Sequence, residues 1–576
     1  MGTKSSRRRA IEQKQVDQFI SSSVRSKVDV LTLSTLPSSV LESKRPVDIR
    51  DVQWRDSCRW IIHSILTLIQ QNRFKDESFV SLSSVALKNI LGNDYTRYIR
   101  SLIDAQILEC DGHYSITLSE SLGYRIHEKY LTGKIDHRTI TERKIIEAIV
   151  KHRKKKARDT RDRSKPMLPF TRWLIKESLT FDREAASRFF LAYDKALRRE
   201  LERRDLKPSF KQRVVPFLDI RRKLMESTIS NWSITQTFSI DTKGGRLYNA
   251  LTNMSSILRN FVQTEAGEGL VSIDIKNSQP FHMLFTLRRD FWLNRSKGIT
   301  LYGLDRPLFA HIRRLPKSQS PLIMFPNSAE TPIGTDFYDS RFYELIVEGK
   351  LYEFIGAQFR GRFITKKGID RFATRELTKR EFMHMMYYDP QKINPSISSV
   401  FNAFKDLFPQ VARLMEMLKR RDYRDFPILL QRIEVKMLLE TVGRAIYEAD
   451  PTIPLYSIHD SLVTTETHMP LVREILEQEY KRVLGVCPRL EEKFWSKDTA
   501  HFDLHDYIKH KIDAAGIDLG VKEPMSHSPS DPNGFGHFIH NPHLLPFFPL
   551  YEPPTGNAMA DFENPFVRKL KLDLVD

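Results

Sequence analysis

The sequence contains little cysteine and no long hydrophobic run. Its three cysteines, Cys58, Cys110 and Cys487, are too far apart to suggest a disulfide framework or a paired metal-binding motif. No apolar stretch approaches the roughly 20 residues that cross a bilayer, and the basic N-terminus lacks the apolar core of a secretory signal. We therefore expect a soluble intracellular protein that has no membrane partner.

Acidic residues are also few relative to basic ones. The 576 residues include 72 acidic and 91 basic side chains, which gives a formal net charge of +19. This excess predicts a polyanionic partner, and we favour nucleic acid over a membrane surface. Apolar residues make up 40% of the chain, so most of it should fold, and its length suggests several domains.

Composition and periodicity divide the chain into five regions. We predict a flexible basic arm over 1–50, a winged-helix-like domain over 51–135 and a basic helical region over 136–235. Strand and helix patterns then alternate over 236–515, which indicates an α+β fold class. The last region, 516–576, is rich in proline and histidine and should form an extended tail.

Two of these regions carry side chains that could contact nucleic acid. The second helix of the predicted helix-turn-helix would dock on a duplex, although a winged helix that packs on protein remains an equal alternative. The segment "KHRKKKARDTRDRSK" has few acids and would contact phosphates, although a solvated helix face is the plainer interpretation. The candidate side chains are Tyr95, Arg97, Tyr98, Arg100, Lys154 and Lys155.

An aspartate lies at the tip of a predicted β-hairpin. In "YSIHDSLVTT", Asp460 stands between two β-prone runs, where an Asp ordinarily serves the turn by bonding its own backbone. However, "GLVSIDIKNSQ" delivers Asp274 at the end of another predicted strand. Two carboxylates on neighbouring strands could bind two divalent cations about 4 Å apart, which is the arrangement used in metal-assisted phosphoryl transfer.

A predicted helix lies between the two aspartates in sequence. In "FATRELTKREFMHMMYYDP", Arg375, Lys379, Met383 and Tyr387 are each four residues apart and share one helix face. That face could present two cations to a triphosphate and an aromatic ring to a base. The alternative is an amphipathic core helix, but cations would then occupy the stripe that a core helix fills with apolar groups.

Together these stretches resemble the signatures of single-subunit, phage- and mitochondrial-type RNA polymerases and of family A DNA polymerases. "SIDIKNSQ" is similar to the first palm motif, "RELTKREFMHMMYY" to the fingers-helix motif and "IHDS" to the second palm motif. "DTKGGRLYNALTNMSSILRNFV" is similar to the G-R segment that precedes the palm. The resemblance spans roughly 240 to 490 and implies a right-hand polymerase with an N-terminal winged-helix-like domain. It assigns the palm to 236–290 and 426–515, the fingers to 291–425 and a thumb-like role to 136–235.

The resemblance also implies roles for individual residues. Asp274 and Asp460 would bind two Mg²⁺ ions, or Mn²⁺ as a substitute, with the Ile275 carbonyl as a further ligand. Arg375 and Lys379 would hold the triphosphate, and Lys379 could act as general acid toward pyrophosphate. The other implied contacts are to the nucleotide (Tyr387, Met383 and Gln279) and to nucleic acid (Arg246 and His459). Gln431 and Glu434 lie one turn apart on the predicted helix before the second palm strand and could both face the site, with Gln431 contacting nucleic acid, although a helix with polar surface positions is an equal alternative.

The sugar of the nucleotide is left open by the sequence. Gln279 stands where a long side chain would exclude a 2′-hydroxyl, which favours DNA synthesis. In contrast, the motif residues around Lys379, Met383 and Ser461 resemble those of the RNA-synthesising enzymes, which favours RNA synthesis. We expect a DNA-directed RNA polymerase. The alternatives are a family A-like DNA polymerase without a proofreading exonuclease and a non-catalytic nucleic-acid-binding protein. The expected partners are a DNA rather than RNA template, nucleoside triphosphates and an accessory initiation protein.

Overall fold

The structure is a computed structural model, and it describes most of the chain up to residue 496. The described residues are 2–24, 26–36, 49–70, 79–112, 122–131, 134–176, 178–203, 208–230, 232, 238–293, 298–316, 319–321, 340–364, 370–390, 395–496, 504 and 508. The predicted tail, 516–576, lies outside them. Among the described residues, no helix combines the length and apolarity that crossing a membrane requires.

The N-terminal part combines helices with two small antiparallel sheets. Its elements are α1 (Gly2–Ser22), β1 (Asp29–Leu33), α2 (Ile49–Gln70), β2 (Val80–Ser81), α3 (Ser84–Leu91), α4 (Tyr95–Asp104), β3 (Leu108–Cys110), β4 (Gly123–Ile126) and β5 (Ile135–Thr139). One sheet has the order β2–β4–β3, and the other pairs β1 with β5. From α2 to β4 the order is helix, strand, two helices and two strands.

Residues 2–24 and 26–36 do not form the flexible arm that their composition predicts. Residues 2–22 are helical, with Val16 and Ile20 buried one turn apart. Glu12 of this helix accepts a hydrogen bond of 2.8 Å from the Tyr447 hydroxyl and pairs with the buried Arg172 guanidinium at 3.2 Å. The polar composition of α1 is therefore compensated by tertiary contacts, and β1 joins the core of the next domain.

A set of long helices follows and connects the N-terminal part to the central sheet. The elements are α5 (Arg143–Ser164), α6 (Leu168–Leu174), β6 (Leu179–Phe181), α7 (Arg183–Arg203) and α8 (Pro208–Ser230). In the described residues the predicted helical character of this region is confirmed, apart from β5 at its start and β6, which pairs with a later strand. Ile145 and Ile149 of α5 belong to the N-terminal hydrophobic core, so the predicted boundary at residue 135 cuts through that core.

The central part is built on a four-stranded antiparallel sheet. Its order is β11–β12–β10–β13. The elements from residue 239 to 304 are β7 (Ser239–Ile240), β8 (Leu247–Tyr248), α9 (Ala250–Asn253), α10 (Ser256–Arg259), β9 (Val262–Thr264), β10 (Leu270–Ile275), α11 (Ser278–Thr286), α12 (Arg289–Trp292) and α13 (Leu301–Leu304).

Helices fill the rest of the central part. They are α14 (Arg306–Arg314), α15 (Ser340–Val347), α16 (Leu351–Phe359), α17 (Arg375–Tyr387), α18 (Pro395–Leu407), α19 (Pro409–Lys419), α20 (Asp425–Glu434), α21 (Gly443–Ala449) and α22 (Met469–Leu484). A π-helical segment, Val435–Val442, joins α20 to α21. The remaining strands are β11 (Tyr456–Ile458), β12 (Ser461–Thr465) and β13 (Leu490–Trp495).

Each face of the central sheet packs on its own hydrophobic cluster. Ile273 and Ile275 of β10 belong to the largest cluster, formed mainly with the later helices, whereas Leu270 belongs to a second cluster with α7 and α8. Side chains alternate along a strand, so this division follows from the period of two in "LVSIDI". The sheet is thus held from both sides, and the ends of its strands are fixed in position.

Candidate active site

The central sheet brings Asp274 and Asp460 together. The predicted hairpin is present, because β11 and β12 are antiparallel with Ile458 opposite Ser461. His459 and Asp460 form the turn, and His459 adopts a left-handed backbone with φ of 53°. On the other side of β12, Ser461 stands opposite Asp274. Two carboxylates far apart in sequence therefore meet at one end of the sheet.

The two carboxylates are crowded with negative charge. Burial raises the pKa of Asp274, and the nearby Asp460 charge raises it further, against a hydrogen bond from Ser461. Burial and Glu434 likewise raise the pKa of Asp460, against the charge of Lys379. Both side chains nevertheless keep part of their surface exposed. Their oxygens are the ligand type that Mg²⁺ prefers, so this pair could hold a divalent cation.

The pair is smaller than a complete protein metal cage. Among the residues that the structure describes, no group of three or more His, Cys, Asp or Glu side chains is arranged to hold a metal ion. Ile275 is the last residue of β10, one residue beyond the strand end that the sequence predicts, and its carbonyl as a metal ligand stays a prediction. Mg²⁺ commonly keeps several water ligands and uses only one or two carboxylates together with substrate phosphates. The observed donor set fits that mode of binding.

Helix α17 faces the carboxylates with its predicted polar side. Thr378, Phe382 and Met386 fill the core, whereas Lys379 and Met383 lie on the partly exposed side. Burial lowers the pKa of the Lys379 ammonium, while the charges of Asp460 and Asp274 oppose that change. Lys379 is therefore electrostatically coupled to both carboxylates, as its predicted role requires.

The two ends of the same helix face differ in their partners. Arg375 donates a hydrogen bond of 2.6 Å to Glu353, and its guanidinium lies 5.5 Å from the centre of the Tyr352 ring. Tyr387 is partly exposed, and burial raises the pKa of its phenol. Arg375 is thus held by an ion pair with Glu353, and its binding of a triphosphate stays a prediction.

Behind this surface lies a buried polar network centred on Glu434. Arg246 donates two hydrogen bonds to the Glu434 carboxylate, at 2.9 and 2.8 Å, and the Gln279 amide donates a third at 2.6 Å. Burial alone would lower the pKa of the Arg246 guanidinium, but Glu434 raises it above its usual value. The predicted contact of Arg246 with a nucleic-acid backbone is wrong for this structure, because Arg246 is only 5% exposed and its fork is occupied.

Gln431 lies one turn before Glu434 and packs against Gly244, the first glycine of the G-R segment. It is buried, and a Cβ atom added to Gly244 would lie 2.3 Å from its Oε1 atom. The second glycine, Gly245, has a left-handed backbone with φ of 78°. The pair of glycines therefore lets this loop pass close to α20 and deliver Arg246. Gln431 supports the loop, and its contact with nucleic acid stays a prediction.

His459 and two further cations complete the surroundings of the carboxylates. The His459 ring stands nearly edge-on to Tyr248, with centroids 6.0 Å apart. Arg259 and Lys493 both lower the pKa of Asp274 through their charges. Neither residue is among those predicted from the sequence. Arg259 stands in the segment similar to the G-R motif, which is a usable signal, whereas nothing local distinguishes Lys493 on β13.

The predicted nucleic-acid contacts of the N-terminal half lie outside this site. Arg97 and Arg100 of α4 are exposed, and so are Lys154 and Lys155 of α5. Tyr98 is 5% exposed and packs edge-on against Trp54, so its predicted contact with nucleic acid is wrong. Although Tyr98 lies between the two arginines in sequence, it is on the buried face of α4 together with Ile99 and Leu102.

No protein-family model matches the sequence. No curated protein sequence matches it. Among solved structures, the chain is similar to the POL domain of Pol1 from M. smegmatis in complex with a DNA primer-template and dNTP. That similarity has a TM-score of 0.34 and 13% sequence identity, and it covers 62% of this chain and 76% of the other. A similarity of this size does not establish a shared fold.

Proposed function

We propose that this chain is a template-directed nucleotidyltransferase, a nucleic-acid polymerase, with Asp274 and Asp460 as its catalytic carboxylates. One observation carries the proposal: both carboxylates lie at the same end of the central sheet, and Lys379 of α17 is coupled to each of them. Phosphoryl transfer depends on positioning and on stabilising negative charge, so it needs such a mixture of carboxylates and cations.

The carboxylate pair fits Mg²⁺, with Mn²⁺ as a substitute. Burial raises the pKa values of both groups, and the charge of a neighbouring carboxylate raises each of them further. When bound, two Mg²⁺ ions would favour deprotonation of the attacking hydroxyl and stabilise the leaving pyrophosphate. Asp274 and Asp460 would hold them, together with the main-chain carbonyl of Ile275.

The chain's own side chains then have separable tasks. Arg375 and Lys379 bind the triphosphate, and Lys379, with its lowered pKa, supplies a proton to the leaving pyrophosphate. Tyr387 and Met383 border the space for the base and sugar. His459, at the hairpin turn, contacts the growing strand.

We assign the larger parts of the molecule by the same logic. The central sheet is the palm, the helices around α17 are the fingers, and the basic helices after residue 136 are the thumb. The N-terminal unit, with its helix, strand, helix, helix and two-strand order, is a winged-helix module that binds nucleic acid or an initiation partner. The template is DNA, and the substrates are nucleoside triphosphates.

Primer extension by the purified full-length chain tests the proposal. Labelled primers on DNA and RNA templates are incubated with ribo- or deoxynucleotides and Mg²⁺. We expect extension by the native chain and none by D274N or D460N. D406N, which changes an exposed aspartate of α18, is the matched control and should extend normally. Failure of the native chain in every combination, with intact binding of nucleic acid, would leave the non-catalytic binding protein as the function.

The nucleotide's sugar could be ribose or deoxyribose, and the Gln279 side chain bears on the choice. RNA synthesis is favoured by the motif residues around Lys379 and Ser461, which resemble those of the RNA-synthesising enzymes. DNA synthesis gains support from the hydrogen bond of Gln279 to Glu434, because a bulky side chain held in place can exclude a 2′-hydroxyl. The ratio of ribo- to deoxynucleotide incorporation on one primer decides between them. If deoxynucleotides win, Q279G should relax a preference of about a hundredfold.

A further inference from the structure

Helix α5 carries a row of basic side chains along one exposed face. Lys151, Lys154, Lys155, Arg158 and Arg161 are all exposed and follow the helical period, so they share that face. From Lys151 to Arg161 the row is about 15 Å long, at about 1.5 Å per residue. We call these five residues the basic row.

The composition of the basic row is unfavourable for an isolated helix. Lys151 and Lys155 are one turn apart, as are Lys154 and Arg158, and like charges at this spacing repel. From Lys151 to Arg158 the helix has no acidic residue, and none of these four side chains makes an ion pair within the part of the chain that the structure describes. Elsewhere the chain interleaves such charges, as in the Arg188–Glu184 pair of α7.

The position of α5 connects two parts of the molecule. Its first turns pack into the N-terminal core through Ile145 and Ile149. Near its other end, the Thr160 hydroxyl accepts a hydrogen bond of 3.4 Å from the Ile240 amide, just before the loop that delivers Arg246. The basic row therefore runs between the N-terminal unit and the neighbourhood of the candidate active site.

We propose that the basic row binds the sugar-phosphate backbone of a nucleic-acid duplex between the N-terminal unit and the catalytic sheet. Phosphates would remove the repulsion among the row's cations, and release of counterions would drive binding. The exposed row carries no aromatic side chain for stacking on single-stranded bases. It also lacks the exposed apolar face with which a helix binds a membrane, since Ile145 and Ile149 are buried in protein and the other apolar residues of α5 are partly buried.

The salt dependence of duplex binding tests the proposal without nucleotides or catalysis. The variant K151Q/K154Q/K155Q is compared with the native full-length chain and with K195Q/R198Q/R199Q, which removes three exposed cations from α7. Each phosphate contact adds about 0.9 to the slope of log affinity against log salt. Three lost contacts should lower the slope by up to about 2.7, so the affinity lost between about 50 and 200 mM salt shrinks by roughly 40-fold. The α7 variant should keep most of the native slope.

Three outcomes would overturn the proposal. One is an unchanged slope in the α5 variant with a native melting temperature, and another is an equal loss in both variants, which would indicate unspecific attraction to net charge. The third is loss of binding to vesicles of phosphatidylcholine and phosphatidylserine with duplex binding unchanged. The inference rests on the proposed function only in taking the bound duplex to be the substrate of a polymerase. The native chain and D274N could show the same salt slope while the native chain extends no primer on any template with any nucleotide. In that case duplex binding by the basic row is supported and the polymerase proposal is wrong.

Discussion

The candidate active site contains Glu434 and, next to it, the pair Asp274 and Asp460. The negative charges of these two groups are balanced differently. Glu434 is fully engaged by Arg246, Gln279 and the buried helix around it. Asp274 and Asp460 make no ion pair within the described residues, and their pKa values are raised. A buried charge without a partner is unfavourable, whereas a hydrogen-bonded pair is tolerated. The Glu434 charge is therefore balanced within the chain, whereas under the proposed function a divalent cation would balance Asp274 and Asp460.

Neutralising the aspartate pair and removing Glu434 should have opposite effects on stability. The largest predicted effect of all is that of the aspartate pair on catalysis. D274N or D460N should lower the rate of nucleotide incorporation by about a thousandfold or more, because several kcal/mol of charge stabilisation are lost. The melting temperature should stay the same or rise, since the substitution removes repulsion. Single-turnover incorporation and thermal unfolding measure the two effects. A variant that loses activity only by unfolding would contradict the assignment.

Removing Glu434 should instead destabilise the fold. E434A leaves the Arg246 guanidinium buried without its carboxylate, which should lower the free energy of unfolding by about 3–5 kcal/mol. The control is E353A, which breaks the more exposed pair with Arg375 and should change the free energy of unfolding by at most about 1 kcal/mol. Urea unfolding of both variants checks the difference. Equal effects would show that the Glu434 network is no more stabilising than a surface pair.

The dependence of stability on pH should also distinguish the groups. The pKa values of Asp274 and Asp460 are raised above the ordinary 3.8, so the folded state holds more protons than the unfolded state in the window above that value. Stability from this source is present at low pH and is lost as the pH rises through the raised pKa values. Mg²⁺ should therefore stabilise the protein more at about pH 8 than at about pH 5.

Thermal unfolding with and without Mg²⁺ measures this effect. Saturation at about 100 times the dissociation constant should add about 2.7 kcal/mol at the higher pH. The double variant D274N/D460N should show no gain, while E353A should keep it. An equal gain in all three proteins would indicate that Mg²⁺ binds elsewhere.

The smallest predicted effect concerns the loop that delivers Arg246 to Glu434. In G244A the new methyl group would collide with Gln431, which should lower the free energy of unfolding by about 1–3 kcal/mol. Because the obstacle is a side chain, G244A/Q431A should recover most of the loss relative to Q431A alone. A double-mutant cycle measured by urea unfolding gives the coupling. Additive effects would mean that the loop bends away from α20 without resistance.

Local patterns predicted the elements that carry the candidate site. The strand ending near Asp274, the hairpin around Asp460 and the helix with Lys379 each have a clear period and clear turn residues. These features act over a few residues, so a single sequence contains them. The shared face of α17 that carries Arg375, Lys379, Met383 and Tyr387 was predicted in the same way, because these residues repeat every four positions.

Long-range pairing was not predictable in the same manner. Arg246 was expected to reach nucleic acid, since nothing near it in sequence reveals that Glu434 occupies its guanidinium. The first helix was expected to be flexible because its few apolar residues are buried only by distant partners. Glu12 gains its contacts from Arg172 and Tyr447, which belong to two other regions of the chain. Such features follow from the assembled fold and leave little local trace.

The central place of β10 in its sheet has a consequence for how the protein is made. Residues 270–275 pair on one side with residues 461–465 and on the other with residues 490–495. During synthesis, both edges of this apolar strand wait for partners until residues 276–495 have followed it. At about 5–20 residues per second, that delay is on the order of 10–40 s. The nascent chain is then open to pairing with other chains, so yield on expression should depend on chaperones and slow growth.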